Sequence, residues 1–336
     1  MKKDKVVICY GKPQAGASAD EKDTLDQANS VREALGRLGF QALDLPVTLN
    51  LSEAARRLKE LAPRFVFNLA ETLEGRGRLI GLVPALLDSL HIPFSGNTTE
   101  AVFLTSNKVL AKAVLSRAGI ATPGWCEASR LLRGEIPPFE PPFIVKDVWE
   151  HASIGMDDDA ICASVETLLR SVKRRVDGSG AADVYVEPFV DGREFNLALL
   201  GGVEGTDEPQ SLPPAEIRFV DYGNDRPRFV GYRAKWVEGS FEYDHTPRCF
   251  DFEPADKPLL ERVIGISREC WRVFGLRGYA RVDFRVDREG NPMVLEVNTN
   301  PCISPDSGFM AAAAQAGLDM DAVVWRIVRD TMRTEG

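Results

Sequence analysis

The chain has 336 residues, of which 44% are hydrophobic and 27% are charged, as expected for a globular protein of two or three domains. Its net charge of −9 argues against nucleic acid as a partner, and no run of roughly 18 apolar residues predicts a membrane span. The six cysteines are scattered without zinc or redox spacing, and the first residues lack a signal-peptide core, so a cytoplasmic protein is expected.

The first hundred residues alternate strands and helices. Strands are predicted over Lys5–Tyr10, Phe40–Leu45 and Phe65–Leu69, and helices from about Asp23 to Leu38 and over Ser52–Leu61, with Ser52 as N-cap. This βαβ order implies a parallel sheet with right-handed crossovers.

Charged residues follow the third predicted strand. Glu71, Arg76 and Arg78 could meet an amino group and carboxylates of a ligand. They could equally cap the next helix and face water, and the sequence does not separate these readings.

The middle of the chain offers two lysines. Lys108 lies on a helix predicted over Thr105–Ala118, and Lys146 lies on a strand predicted over Phe143–Val148. A Ser/Gly loop containing Ser153 follows that strand, and a lysine beside a row of backbone N–H groups suits phosphate oxygens. A hairpin with a surface lysine is the alternative.

A hairpin is predicted near the C-terminus, with strands Arg281–Val286 and Met293–Asn298. Pairing Val286 with Met293 places Asp283 opposite Glu296 and Arg281 opposite Asn298. The opposite face carries an apolar set for the core, namely Val282, Phe284, Val286, Met293, Leu295 and Val297.

Two carboxylates directly opposite each other would destabilise the sheet unless a cation lies between them. Oxygen ligands from Asp283, Glu296 and Asn298 suit a hard ion such as Mg²⁺, completed by water and phosphate. The alternative is a hairpin whose acidic face is merely hydrated.

The segment LEVNTNPCISPDSGF, followed by AAAAQAGLDM, resembles the C-terminal signature of the D-alanine–D-alanine ligase-like branch of the ATP-grasp superfamily. The likeness extends, less sharply, over nearly the whole chain. It implies an α/β fold with an α+β C-terminal part and the nucleotide held between the last two of three domains. Their expected bounds are 1–104, 105–189 and 190–336.

The resemblance also implies ATP and Mg²⁺ (or Mn²⁺) as cofactors. The nucleotide ligands carried over are Lys108, Lys146, Ser153, Glu187, Val190, Glu194 and Lys235. In this scheme Glu187 and the backbone near Val190 would bind the adenine base, and Glu194 would bind the ribose hydroxyls. Lys235 belongs to a segment that resembles the family's mobile loop over the γ-phosphate.

The activity implied is that of an ATP-dependent ligase, which activates an amino-acid carboxylate as an acyl phosphate and joins it to an amine. Arg281 would steady the phosphate and the tetrahedral intermediate, and the backbone at Cys302 would complete the oxyanion site. Ser307 would hold the second substrate's carboxylate, while Glu71 and Arg76 lie on the substrate side.

The sequence departs from the family on the substrate side. Ala152 stands where the family has serine, His151 replaces a glycine, and Trp236 replaces the usual tyrosine after Lys235. Cys302 occupies a position that is usually glycine. The glutamate that binds the first amino group has no clear counterpart, although Asp20 and Glu21 lie nearby.

We therefore expect small amino-acid or peptide substrates that differ from two D-alanines. Branch members are often dimers, so a homodimer is an expectation that no interface motif in the sequence supports. Three competing functions remain open at this point: a degenerate ligase that binds ATP without catalysis, a small-molecule kinase and a metal-dependent hydrolase.

Overall fold

A computed structural model of the chain describes residues 3–13, 16, 19–150, 160–179, 183–223 and 226–333. Three sheets organise these residues, and each lies within one of the three predicted segments. The domain boundaries themselves stay a prediction. Within the described residues, no helix combines the length and apolarity that crossing a membrane requires.

The first sheet is parallel, with the strand order β2-β1-β3, which confirms the predicted βαβ layout. Its elements are β1 (Lys5–Gly11), α1 (Ala19–Arg37), β2 (Gln41–Val47), α2 (Leu51–Leu61) and β3 (Phe65–Asn68). The predicted N-cap of α2, Ser52, is wrong. Asn50 caps this helix, because its side-chain oxygen accepts a hydrogen bond from the Glu53 N–H at 3.2 Å.

The connection to the second sheet is helical. It comprises a 3-10 turn (Gly77–Leu79), α3 (Leu82–Ser89), α4 (Thr99–Ser106) and α5 (Lys108–Arg117). The single helix predicted over Thr105–Ala118 is therefore wrong. Asn107 has an extended backbone, and its side chain caps α5 by accepting from the Leu110 N–H at 2.9 Å. This break makes Lys108 the first residue of α5.

The second sheet is antiparallel, with the order β4-β7-β5-β6. Its elements are β4 (Cys126–Glu127), α6 (Ala128–Leu132), β5 (Phe143–Asp147), β6 (Ile161–Cys162), α7 (Val165–Ser179) and β7 (Val184–Pro188). Helices α6 and α7 cover one face, where Leu131, Leu168 and Val172 pack on Val145 and Val186. The other face is left for the cleft.

The third sheet has the order β11-β10-β8-β12-β13, and β9 pairs with β8. Its strands are β8 (Arg193–Leu200), β9 (Gln210–Ser211), β10 (Ala215–Ile217), β11 (Arg248–Cys249), β12 (Tyr279–Val286) and β13 (Pro292–Asn298). The accompanying helices are α8 (Tyr232–Trp236), α9 (Phe241–Asp244), a 3-10 turn (Pro254–Asp256), α10 (Lys257–Val273), α11 (Gly308–Gln315) and α12 (Met320–Arg333).

Strands β12 and β13 form the predicted hairpin, with Asp283 opposite Glu296 as expected. The register of its far half is wrong, because Val286 pairs with Pro292 rather than Met293. A bulge next to Asp283 leaves Leu295 as an extra residue, and such a bulge changes which side chains face the core. Val294 is consequently buried in the core, whereas Leu295 and Met293 are only partly buried.

The third sheet has two faces with different roles. On one face Phe195, Leu197, Val282 and Phe284 pack beneath α5 and α10. The other face is apolar near Tyr279, at the start of β12. There it packs against residues of the first sheet and of α1, α11 and α12. Beyond that point the same face becomes polar and forms the floor of a cleft.

Candidate active site

Two adjoining cavities lie over this polar face. The lysine cavity is lined by Lys108, Ile144, Lys146, Asp147, Tyr185, Glu187, Phe189, Val190 and Leu295, among others. The arginine cavity, of about 820 Å³, is lined by Asp23, Glu71, Trp236, Arg248, Arg281, Asn298, Cys302 and Ser307, among others. Glu194, Lys235, Asp283 and Glu296 line both cavities, so the two meet at these side chains.

Asp283 lies at this junction with both carboxylate oxygens engaged. Its Oδ1 accepts from Asn196 Nδ2 at 2.8 Å, and its Oδ2 accepts from Asn298 Nδ2 at 3.0 Å. Arg281 adds a two-pronged contact, with its Nε 2.7 Å from Oδ1 and its Nη2 2.8 Å from Oδ2. These contacts fix the plane of the carboxylate.

Glu296 lies directly across the hairpin from Asp283 and forms an ion pair with Lys108, Oε1 to Nζ, at 2.9 Å. The first residue of α5 is thereby brought onto the hairpin, although the two are far apart in sequence. Lys108 also donates to the backbone carbonyl of Glu150.

The junction suits a divalent cation of the hard type. Among the described residues no three His, Cys, Asp or Glu side chains are placed together as metal ligands. The candidate oxygen donors at the junction are the facing carboxylates of Asp283 and Glu296 and the amide oxygen of Asn298, whose nitrogen donates to Asp283. Mg²⁺ commonly takes one or two carboxylates and completes its shell with water and phosphate. The oxygen chemistry of these three residues suits this ion, and their role as metal ligands stays a prediction.

Arg281 keeps its positive charge at the junction. Burial of the guanidinium opposes that charge, but the Asp283 carboxylate outweighs the effect and raises the pKa of Arg281. A permanently charged arginine on the floor of the cleft can stabilise an anion that develops above it.

In the lysine cavity, one buried carboxylate holds two lysines. Glu187 is 1% exposed, its Oε2 lies 2.6 Å from Lys146 Nζ, and its Oε1 pairs with Lys112. Burial opposes the charge of Glu187, but Lys112 and Lys146 together lower the pKa of this carboxyl. Glu187 therefore positions Lys146 in this structure, and its predicted contact with adenine stays a prediction.

Arg285 organises the other wall of the lysine cavity. Its Nε donates to the Val190 carbonyl at 2.9 Å, and its Nη1 lies 3.0 Å from Glu194 Oε2. The buried guanidinium thus orients both the segment predicted to bind adenine and the carboxylate predicted to bind ribose.

Lys235 sits on α8, which covers the junction of the cavities. Burial, followed by the charge of Arg281, lowers the pKa of this lysine. Trp236, the next residue, lines the arginine cavity. Lys235 thus lines both cavities together with Asp283 and Glu296, and its contact with a terminal phosphate stays a prediction.

An acidic corner occupies one end of the arginine cavity. Asp23 Oδ2 lies 2.9 Å from Cys302 Sγ, and Gln27 Nε2 donates to Glu71 Oε1 at 3.3 Å. Gln27 also accepts from the Ile303 N–H at 3.0 Å, so it ties α1 to the segment after β13. Burial, with Glu71 and Asp23 adding to it, raises the pKa of the Cys302 thiol well above its usual value, so the thiol stays protonated.

Ser307 also lines the arginine cavity. It is the N-cap of α11, and its Oγ accepts from the Met310 N–H at 3.2 Å. Beside it, Arg248 donates to the Asp306 carbonyl at 3.0 Å. Both flank the start of α11, where the first N–H groups lack helical partners.

The structure does not bring every predicted residue into the site. Arg76 is exposed and lines neither cavity, and Arg78 instead pairs with Asp183 at 2.8 Å and stacks on Trp149. Ser153, with its neighbours Ala152 and His151, lies outside the described residues.

Several site residues were not predicted from the sequence. Lys112 could have been found, because it lies four residues after Lys108 and therefore on the same helical face. Asn196 alternates with Glu194 on β8, which is a usable period-two signal. Asp23, Gln27 and Arg248 carry no local signal, since only tertiary packing brings them to the cleft.

Known proteins resemble this chain in sequence and in fold. The family model described as "D-ala D-ala ligase C-terminus" matches residues 115–329. A D-alanine–D-alanine ligase of Aquifex aeolicus is 30% identical over 96% of this chain and 99% of its own length. A ligase of that name from Moorella thermoacetica is also 30% identical, over 96% of this chain and 98% of its own length.

Among solved structures, a D-alanine–D-alanine ligase from Bacillus anthracis complexed with ATP matches with a TM-score of 0.72. The alignment covers 99% of this chain and all of that one at 23% identity, a likeness of fold. The fold is that of the ATP-grasp ligases. Within that class, the chain belongs to the D-alanine–D-alanine ligase family.

Proposed function

We propose that this protein is an ATP-dependent carboxylate–amine ligase that joins two small amino-acid or peptide substrates and uses Mg²⁺. The observation that carries the proposal is the junction of the cavities. There Asp283 and Glu296 face each other across the hairpin, beneath Lys235 and beside Arg281. Family membership supports the ligase class.

The lysine cavity would hold the nucleotide. Its wall carries the apolar side chains of Ile144, Phe189 and Leu295 on which a planar base can lie. Lys108 and Lys146 would contact the phosphates, since each reaches the cavity from a carboxylate partner that fixes its position. The terminal phosphate would then lie at the junction of the cavities.

The reaction would proceed there in two displacements. An oxygen of the donor carboxylate attacks the γ-phosphorus, ADP leaves, and an acyl phosphate remains. The acceptor amine then attacks the acyl carbon, phosphate leaves with the electron pair of the broken C–O bond, and the amine loses a proton. Lys235 and Arg281 would stabilise the anionic groups in both steps.

Asp283, Glu296 and Asn298 would hold the Mg²⁺. When bound, the ion would neutralise charge on the phosphate oxygens. The chain's own contribution is to fix the carboxylate plane of Asp283 through Asn196 and Arg281, and to cover the junction with α8 against water.

The substrates need not be two D-alanines. Asp23 and Glu71 form an acidic corner suited to the ammonium group of the donor. The protonated thiol of Cys302 and the indole of Trp236 give the cavity a lining unlike the family pattern. A cavity of about 820 Å³ also accommodates larger substrates than alanine.

The test is product formation by the purified protein with ATP, Mg²⁺ and pairs of D- and L-amino acids. We expect ADP and phosphate to appear together with an amide whose mass equals the two substrates minus water. A product heavier than one substrate by a phosphoryl group would show a kinase instead. Rapid turnover of D-alanine alone would contradict the altered substrate choice while preserving the ligase class.

A further inference from the structure

Arg248 lines the arginine cavity next to Ser307, and the proposed mechanism does not use it. It is the first residue of the two-residue strand β11, at the edge of the third sheet. The guanidinium lies over Gly308, since a Cβ added to this glycine would be 3.4 Å from Arg248 Nε. The side chain therefore faces the start of α11.

The guanidinium has hydrogen-bonding capacity to spare. Among the described residues Arg248 forms no ion pair within 4.0 Å, and its hydrogen bond to the Asp306 carbonyl uses one of five N–H groups. Arg281, by contrast, is satisfied by the carboxylate of Asp283. Burial and the neighbouring charge of Arg281 lower the pKa of Arg248, which agrees with a cation that awaits an anion.

A separate group is already available for the acceptor's α-carboxylate. Ser307 caps α11, with Met310 and Ala311 bonding back to it, so the N–H groups of Gly308 and Phe309 precede the first helical hydrogen bond. Two such N–H groups and a hydroxyl match one carboxylate. The guanidinium is thus a positive group in addition to the Ser307 hydroxyl and the start of α11, of which Ser307 and Gly308 line the cavity.

We propose that Arg248 makes this ligase selective for an acceptor amino acid with a second carboxylate on its side chain. The start of α11 takes the α-carboxylate, and the guanidinium takes the side-chain carboxylate in a two-pronged contact. An acceptor with a neutral side chain leaves Arg248 uncompensated beside Arg281. This inference rests on the proposed ligase function.

The experiment compares acidic acceptors with their neutral isosteres. Aspartate and glutamate are paired with asparagine and glutamine, in both configurations and with a fixed panel of donors, and amide formation is followed by mass and by ADP release. The variants are Arg248→Met, which keeps the length of the stem, and Arg248→Lys, which keeps the charge. Arg228→Met is the matched control, because Arg228 is exposed and lines neither cavity.

For the wild type we expect kcat/KM to favour the acidic acceptor over its amide by about 10- to 100-fold. Arg248→Met should abolish this ratio through KM of the acidic acceptor, Arg248→Lys should retain part of it, and the control should match the wild type. Thermal melting checks that each variant is folded.

Three results would overturn the inference. A higher kcat/KM of the wild type for the neutral acceptors would contradict selectivity for an acidic side chain. An equal loss for both acceptors in Arg248→Met assigns the guanidinium to the α-carboxylate, and an unchanged ratio removes it from the acceptor site. If no acceptor gives an amide, the ligase function itself fails, and this outcome is distinct from a ligase whose preference ignores Arg248.

Discussion

The two cavities satisfy their charges in different ways. In the lysine cavity Lys108 is paired with Glu296, and Lys146 and Lys112 share Glu187. In the arginine cavity Arg248 forms no ion pair with a described residue. The first cavity is therefore preorganised by the protein, whereas the second leaves a charge for its ligand to complete.

This difference indicates which of the two cavities can change its ligand specificity by substitution. Buried networks in which every member has a partner hold their geometry without ligand, and changing one member affects the others. Arg248 lies on an edge strand and forms one hydrogen bond to a backbone carbonyl, so it has few such constraints and should be replaceable without disturbing the fold. Substitutions in the lysine cavity should therefore be poorly tolerated, and substitutions in the arginine cavity should be tolerated better.

The largest effect is expected at the centre of the lysine cavity. Glu187→Leu leaves the buried Lys112 without its carboxylate, which should lower the free energy of unfolding by about 3–5 kcal/mol. Denaturant unfolding measures this change. The double variant with Lys112→Met should recover most of the loss, and Glu135→Gln, which alters an exposed pair with Arg130, should remain near wild type. Equal stability of Glu187→Leu and wild type would contradict the preorganised network.

The next largest effect concerns turnover at the junction. Arg281→Met should lower kcat by about 100- to 1000-fold, because it removes a fixed cation from the developing anion. ATP affinity, measured by calorimetry, should change little. Arg288→Met in the exposed turn of the same hairpin is the matched control. A fall in ATP affinity without a fall in kcat would make Arg281 a binding residue only.

In the acidic corner a smaller effect is expected. Asp23→Asn should raise KM of the donor by about 10- to 100-fold, since a charged partner of its ammonium group is lost. KM of ATP should be unchanged. Asp26→Asn, on the exposed side of α1, controls for the helix. Were KM of the acceptor to rise instead, the acidic corner would bind the acceptor rather than the donor.

Glu187 in the lysine cavity should also make the free energy of unfolding depend on pH. Since the pKa of Glu187 is lowered below its ordinary value of 4.5, the unfolded state binds more protons than the folded state below that pH. The contribution is complete above pH 4.5 and is lost as the pH falls through the folded-state pKa. Glu187→Gln should show a shallower decline of the free energy of unfolding on acidification. An identical slope would mean that Lys112 and Lys146 do not hold the carboxylate charged.

The smallest effect is expected at Arg76, a predicted substrate residue that lies outside the arginine cavity. Arg76→Ala should leave KM of both substrates at the wild-type value, because this side chain is exposed outside the arginine cavity. Steady-state kinetics beside Asp23→Asn provides the comparison. A rise in KM similar to that of Asp23→Asn would bring Arg76 into the site.

Much of the site could be predicted from the sequence where local periodicity decides it. The pairing of Asp283 with Glu296 follows from period-two alternation and a short turn, and the structure confirms it. The register beyond Asp283 could not be predicted. Val294 is held by hydrogen bonds to Ala121 and Thr122, which are distant in sequence, and these contacts accompany the bulge.

The helices likewise include features that local sequence patterns did not predict. The break at Asn107 was missed because the hydrophobic pattern continues across it, although an asparagine N-cap would have been a usable signal. Asp23 and Arg248 meet the same cavity from α1 and β11, and no spacing along the chain relates them. Their roles become visible only once the first and third sheets pack together.

The extra residue at Leu295 lets two successive side chains of β13 line one cavity. In an unbroken ladder Leu295 would turn toward the core, and the strand would offer the cleft only every second residue. With the bulge, an apolar side chain and the acid of Glu296 both border the lysine cavity. Deleting that one residue should withdraw an apolar side chain from the proposed nucleotide cavity while every charged group keeps its place.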